Sequence, residues 1–344
     1  MIKIITLESP SFAWNIHPIQ LYLLAQNYQI SVTELNKALA LSSIELSDLS
    51  LKINWQQYSA MLAVVEQHAP KKWPLDLAKR LAQPVYGLLS LAIQSCENWR
   101  QALQLLVKFK PLMTALFELK ITETKHYIIV DVLPELSRDS IIDRMHQVLA
   151  IVCHQVFCSI SQFERSSLRA SGHIKLFLTS SKPSYHDEIC DYIGDSVTYN
   201  CPTNFLRLDK RLIDEKLLSA DPNTARSIAT LMTTQLGQLP LASGLLTLLR
   251  RAFDRGFYQQ SKCANRLNMS VATLKRKLTQ ANTSFSRELM HYRLTNACHL
   301  LAYSSLNIDD IADKLGFQDQ SSFRRMFKQQ TGQTPLNYRS CNQQ

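Results

Sequence analysis

What this chain lacks bounds it first. No apolar run approaches the roughly 18 residues needed to cross a bilayer; the longer ones, Ala60 to Val65 and Val148 to Cys153, are of core length. The start, Met1-Ile2-Lys3-Ile4-Ile5, is too short and too soon acidic for a secretory signal, so a cytoplasmic location is expected. Only 8 glycines occur. None forms a phosphate-cradling loop, and there is neither a Gly-x-Ser-x-Gly elbow nor a His-Glu-x-x-His zinc helix. The eight cysteines are scattered without a Cys-x-x-Cys pair, the pattern of free thiols. His154 and Cys158, beside Cys153, are four apart on an expected helix, but no further ligand cluster completes a four-ligand metal set. Lone histidines such as His126, His173 and His186 read as surface or core residues rather than catalytic bases. Neither an enzyme nor a cofactor or metal site is expected.

Acidic charge is scarce in one region. From Leu241 to the end, 6 Asp and Glu stand against 15 Lys and Arg, whereas the first 240 residues hold 22 against 23. Nearly all of the net charge of +10 therefore lies in the last 104 residues. A basic balance confined to one domain is the footprint of a polyanion, and nucleic acid fits better than a membrane surface because the cations do not follow an amphipathic stripe.

What is present in that region is one unit written twice, between Ser261 and Arg339. In the first copy, Ser261 to Leu267 forms a short helix with Cys263, Ala264 and Leu267 on one face. Asn268-Met269 makes a turn, and Ser270 opens a second helix. In the second copy, Asn307 caps a helix carrying Ile308, Ile311, Ala312 and Leu315; a Gly316-Phe317 turn follows, and the next helix begins near Asp319. Leu267 and Leu315 correspond at an offset of 48, Leu274 and Phe323 at 49, so the register slips by one inside the turn. Asn268 and Gly316 fall at the same place, where a tight turn needs a left-handed backbone. This is a pair of helix-turn-helix units.

With Leu274 and Leu278 turned inward, Ala272, Lys275, Arg276 and Thr279 share the outward face of the first reading helix. Ser321, Arg324, Arg325 and Lys328 are their counterparts 49 residues on. Short side chains let a helix enter a major groove, while Arg and Lys reach guanine edges or phosphates. One such face is often only a solvated surface; two matched copies favour a reader of double-stranded DNA. Ser270, Thr273, Gln320 and Ser322 complete the expected contact set. Between the units an uninterrupted helix runs from about Ser284 to Tyr303; about 19 residues at 1.5 Å each make a strut of roughly 28 Å, against about 34 Å between successive major-groove faces.

The first 213 residues read as an α+β domain. Helices are expected at Ile19 to Ala25, Val32 to Leu41, Trp55 to His68, Leu75 to Leu81, Gly87 to Ile93 and Trp99 to Phe109, punctuated by Pro70, Pro74 and Pro84. Leu116 to Ile121 and Tyr127 to Val132 form a hairpin, and a long apolar helix runs from Ser140 to about Phe163. Ile174 to Leu178, Val197 to Tyr199 and Phe205 to Leu208 are further strands. Residues 214–240 form a linker containing a helix capped at Asp221-Pro222-Asn223-Thr224 and ended by Gly237 and Pro240. Residues 241–344 form the all-α DNA-binding domain, its two units joined by the long helix.

Residues in this second domain resemble the AraC/XylS family of bacterial transcription regulators. The resemblance lies in Arg293-Leu294-x-x-Ala297-x-x-Leu300-Leu301, Ile308-x-x-Ile311-Ala312-x-x-x-Gly316-Phe317, Phe323-x-x-x-Phe327 and Gly332-x-Thr334-Pro335-x-x-Tyr338-Arg339. It implies a DNA-binding domain of seven helices, usually activating transcription through RNA polymerase. Its base-facing positions correspond to Ala272, Lys275 and Arg276, and to Gln320, Ser321 and Arg325. Asn268 and Asn282 stand where the family often has Gly. The amino-terminal part, at Gly87 to Phe109 and Cys201 through Pro222, is similar to the branch with ornithine-use and virulence regulators. That similarity implies a domain that senses a small-molecule effector or forms a homodimer. Two other readings compete with an effector-controlled activator: a DNA-repair methyl acceptor, which needs a reactive cysteine, and a non-specific architectural DNA binder.

Overall fold

The computed structural model describes residues 3–82, 87–160, 173–194, 197–238 and 242–342. Pro84, Pro240, Leu241 and the part of the long helix expected beyond Ile160 lie outside these residues. No helix among them is long and apolar enough to cross a membrane.

Short strands β1 (Lys3–Ile5), β2 (Phe12–Ala13) and β3 (Lys52–Ile53) accompany the first helices, at His17–Asn27, Val32–Leu39, Trp55–His68 and Trp73–Leu81. Local chemistry sets their limits. Asn54 Oδ1 accepts from Gln57 N at 2.9 Å while Gln57 Oε1 accepts from Asn54 N at 3.0 Å, a reciprocal cap that starts helix 55–68. Asn98 caps helix Trp99–Phe109 in one direction only, its Oδ1 accepting from Gln101 N at 3.0 Å. The expected hairpin forms as β4 (Phe117–Glu123) and β5 (Tyr127–Pro134). With β6 (Ile174–Phe177), β7 (Val197–Thr198) and β8 (Asn204–Asp209) it makes one sheet of order β4-β5-β8-β6-β7. All neighbours are antiparallel except β6 and β7.

Helix Ser140–Ile160 covers one face of this sheet, packing on β5, β6 and β8. Ile128, Val130 and Val132 point into that core, with Leu206 and Leu208 from β8. Strand residues alternate between faces, so Ile129, Asp131 and Leu133 must point the other way, and they too are buried. What covers them is the second domain.

The second domain holds two separate cores. Leu274, Leu278, Phe253 and Phe285 belong to the first; Phe323, Phe327, Ile311 and Leu301 belong to the second. Helix Phe285–Tyr303 contributes its first half to one and its second half to the other.

Several features escaped sequence reasoning, the short strands β1, β2 and β3 among them. Helix His186–Ile193 was not anticipated. The helix at Pro222–Gln238 packs on helices 88–94 and 99–109, and its Ile228 and Met232 join the amino-terminal core. Strand β9 (Ala242–Gly244) pairs in parallel with β1, so the chain's start is stitched to the entry of the second domain.

Candidate nucleic-acid interface

Each reading helix is set by caps at its own ends. In the first unit, helix Gln260–Arg266 ends in a turn where Asn268 adopts φ 53°. Ser270 Oγ then accepts from Thr273 N at 3.1 Å and opens helix Val271–Gln280. In the second, Asn307 caps helix Ile308–Lys314, Gly316 makes the turn at φ 70°, and Asp319 Oδ1 accepts from Ser322 N at 2.7 Å to open helix Gln320–Thr331. Hydrogen bonds from Ser322 hold the Asp319 carboxyl below its usual range. An anionic cap at the positive end of a helix dipole is favourable.

Leu274, Leu278, Phe323 and Phe327 are fully buried, which fixes the rotation of both helices. Ala272, Lys275, Arg276 and Thr279 are exposed on one, and Ser321, Arg324, Arg325 and Lys328 on the other. Ser270 is exposed, while Thr273, Gln320 and Ser322 are half-buried. The hydroxyls of Ser270, Thr273 and Ser322 are engaged in the caps, and Thr279 Oγ1 donates to Lys275 O at 3.1 Å. The free donors on these faces are therefore mainly the cations.

Arg293, in the strut, joins the two units. Its Nε and Nη2 donate to the carbonyls of Leu315 and Gly316 at 3.0 and 2.5 Å. Its guanidinium lies 4.2 Å from the Phe317 ring centre and 5.4 Å from that of Tyr258. The first unit's Tyr258 also donates to Lys314 O at 3.2 Å. Carbonyls at the end of helix 308–314 thus find partners, and the second unit is tied to the strut and to the first.

Five of the eight thiols offer little nucleophile. Burial pushes Cys96, Cys153, Cys201 and Cys298 up to about 12 and Cys263 to about 11. His154 Nδ1 lies 3.6 Å from Cys158 Sγ, and among the described residues no group of three or more His, Cys, Asp or Glu is placed to hold a metal ion. His173 faces Asp209 at 3.3 Å, His186 meets Tyr199 Oη at 2.9 Å, and His126 is exposed beside Tyr127.

The family model described as a helix-turn-helix domain matches residues 263–340, the span that contains both reading helices. A second, described as the arabinose-binding domain of AraC transcription regulator, N-terminal part, matches residues 30–217, more than half of the chain. The chain belongs to the AraC family of transcription regulators. Like other AraC-type proteins it joins an effector-binding domain to a helix-turn-helix DNA-binding domain. It is 24% identical over 283 residues to the ornithine utilization regulator of Pseudomonas aeruginosa, covering 78% of each chain. It is 28% identical over 150 residues to the HTH-type transcriptional regulator VirS of Mycobacterium tuberculosis, covering 43% of this chain and 44% of that one. The crystal structure of transcriptional regulator CdpR from Pseudomonas aeruginosa aligns with a TM-score of 0.42 at 20% identity, over 94% of this chain and 97% of the other. These relatives are named as regulators, not enzymes.

In this AraC-family chain the effector-type domain lies along the strut. Tyr127 packs on Tyr303 with ring centres 5.7 Å apart, Phe205 on His299 at 5.0 Å, and Arg207 lies 4.4 Å over Tyr127. Asp131 Oδ1 is 3.6 Å from His299 Nε2. Lys120 binds Asp254 at 2.9 Å, Arg250 binds Glu118 at 3.0 Å, and Arg138 binds Glu288 at 2.7 Å. Strand β5 thus runs antiparallel to the strut, from Tyr127 near Tyr303 to the loop after its end near Glu288. Sequence reasoning missed this seam, although one signal was present. Tyr127 to Pro134 is apolar at nearly every position, the pattern of a strand buried on both faces.

Proposed function

We propose that this regulator is sequence-specific, that it activates transcription through RNA polymerase, and that a small-molecule effector bound by residues 1–213 controls it. Residues 214–240 serve as the connection and residues 241–344 read DNA. The observation that carries the reading is the matched pair of exposed faces, Ala272, Lys275, Arg276 and Thr279 against Ser321, Arg324, Arg325 and Lys328, each on a helix fixed by two buried residues. Lys275, Arg276 and Arg325 take base edges, with Gln320 and Ser321 beside them. Arg324 and Lys328 meet the flanking phosphates, and Ser270, Thr273, Thr279 and Ser322, whose hydroxyls bond within the protein, line the same backbone by shape. A bacterial regulator of this kind acts in the cytoplasm, as a monomer gripping two turns of DNA or as a homodimer.

The test is selection of sites from a random duplex library with the full-length chain at near-physiological salt. A two-part motif with about 10 bp between half-site centres is expected. Uniform retention of all sequences would instead favour the architectural binder. The name of one relative and the description of the family model make ornithine and arabinose the first ligands to add: a true effector shifts the affinity for the selected site, and reciprocally the site shifts the affinity for the ligand. Buried, protonated thiols weigh against the methyl-acceptor reading, and an unchanged mass after exposure to methylated DNA would remove it.

A further inference from the structure

Arg138 lies in the loop between β5 and helix 140–160, on the effector-domain side of the seam. Its backbone N–H donates to Ala281 O at 3.0 Å, at the end of the first reading helix. Its guanidinium grips Glu288 in the strut, Nε to Oε1 at 2.7 Å and Nη2 to Oε2 at 3.3 Å. Ser137 Oγ adds a bond to Ala281 O at 3.3 Å. Between those anchor points lies the elbow Asn282-Thr283-Ser284, where the chain turns into the strut through Asn282 at φ 54°. Thr283 Oγ1 donates to the same Glu288 Oε1 at 2.7 Å. One residue of the effector domain therefore holds both arms of the elbow.

The pair is built to persist. Burial raises the Glu288 carboxyl, but Arg138 and Thr283 more than offset this and leave it below its usual range. Lys275, Arg276, Arg324 and Arg325 all stand exposed beside the docked effector domain. Covering the reading faces is thus not how this arrangement could act. Angle is the more telling variable, because the units have separate cores. A tilt of about 10° at the elbow moves the far end of a roughly 28 Å strut by about 5 Å, which exceeds the roughly 3.4 Å rise of one base pair.

We propose that Arg138 is a positioning residue through which the effector domain sets the angle between the first reading helix and the strut, and with it the half-site spacing both units engage together. The proposal rests on the DNA-reading assignment above and concerns its regulation. The test uses the full-length chain on duplexes carrying the two selected half-sites at centre spacings varied base pair by base pair, and on a duplex with one half-site only. Wild type should prefer one spacing about tenfold over its neighbours. Arg138→Ala and Glu288→Gln should lose most of that preference while binding the single half-site within about twofold of wild type. The exchanged pair Arg138→Glu with Glu288→Arg should restore it. If the first variants fold poorly, Arg138→Lys, which keeps the charge and the bond to Ala281 but not the two-pronged grip, should lose part of the preference. Native-like melting with wild-type spacing preference in these variants would overturn the proposal. No preference for any two-part site in wild type would instead bring down the reading assignment, and the proposal with it.

Discussion

The ring of Tyr258 in the first helix-turn-helix unit occupies the space that a Cβ on Gly316 of the second would need. Gly316 also sits at φ 70°, where a side chain is strained. These two demands can be separated. Gly316→Asn satisfies the backbone angle but not the close approach, so it should destabilise nearly as much as Gly316→Ala, for which the left-handed strain alone costs about 1–2 kcal/mol. In a Tyr258→Ala background both losses should shrink. A thermal double-mutant cycle measures this, and additivity between the two sites would show that the ring is not the obstacle.

The reading faces make different predictions for different cations. Arg276→Ala and Arg325→Ala should each relax base preference at defined positions, by about 1–3 kcal/mol per lost two-pronged contact with guanine. Lys328→Ala should weaken all sequences alike and flatten the salt dependence by about one phosphate contact. Selected motifs from each variant decide the matter. An unchanged motif for Arg276→Ala would mean that the first helix does not read bases through it.

Much of the second domain was legible because its determinants are local. Ser270, Ser284, Asn307 and Asp319 each cap the helix that follows them, and Asn268, Asn282, Gly316 and Gly332 take the left-handed angles their residue types allow. The seam was not legible for the opposite reason. Arg138 and Glu288 are 150 residues apart, and no spacing announces that they meet. Asp131, inside an apolar strand, is legible only in hindsight as a polar group aimed at His299 of the other domain. The pairing of β1 with β9 joins the two ends of a 240-residue span through backbone groups that carry no sequence signature.

Asn268 and Asn282 offer a test of backbone angle with little packing attached, since both side chains are exposed. At φ 53° and 54° they pay for a left-handed turn that glycine adopts freely. Replacing either with Gly should leave stability within about 0.5 kcal/mol of wild type, whereas Ala should cost about 1–2 kcal/mol. Urea midpoints at constant m-value would measure both changes. Equal effects of Gly and Ala would show that the angle is not what selects Asn.

Buried histidines make folding stability depend on pH. Burial lowers His17 to about 3 and His146, His154 and His291 to about 4. An unfolded histidine titrates near 6.5, so between about pH 6.5 and 4 the unfolded chain binds protons that the folded chain does not. Stability is therefore full above pH 6.5 and falls as the pH drops through that window, by up to about 1.4 kcal/mol per pH unit for each such histidine. Asp131 and Asp143 work the other way, because burial raises their carboxyls and the folded state gains as those groups are protonated. With four histidines against two aspartates, the net expectation is a lower urea midpoint at pH 5 than at pH 7.5. His146 Nε2 donates to Leu116 O at 3.0 Å, a bond that a glutamine amide can also make, so His146→Gln should reduce the pH dependence by about one proton. A midpoint that is flat from pH 7.5 to 5 would mean that these imidazoles are not held neutral by the fold.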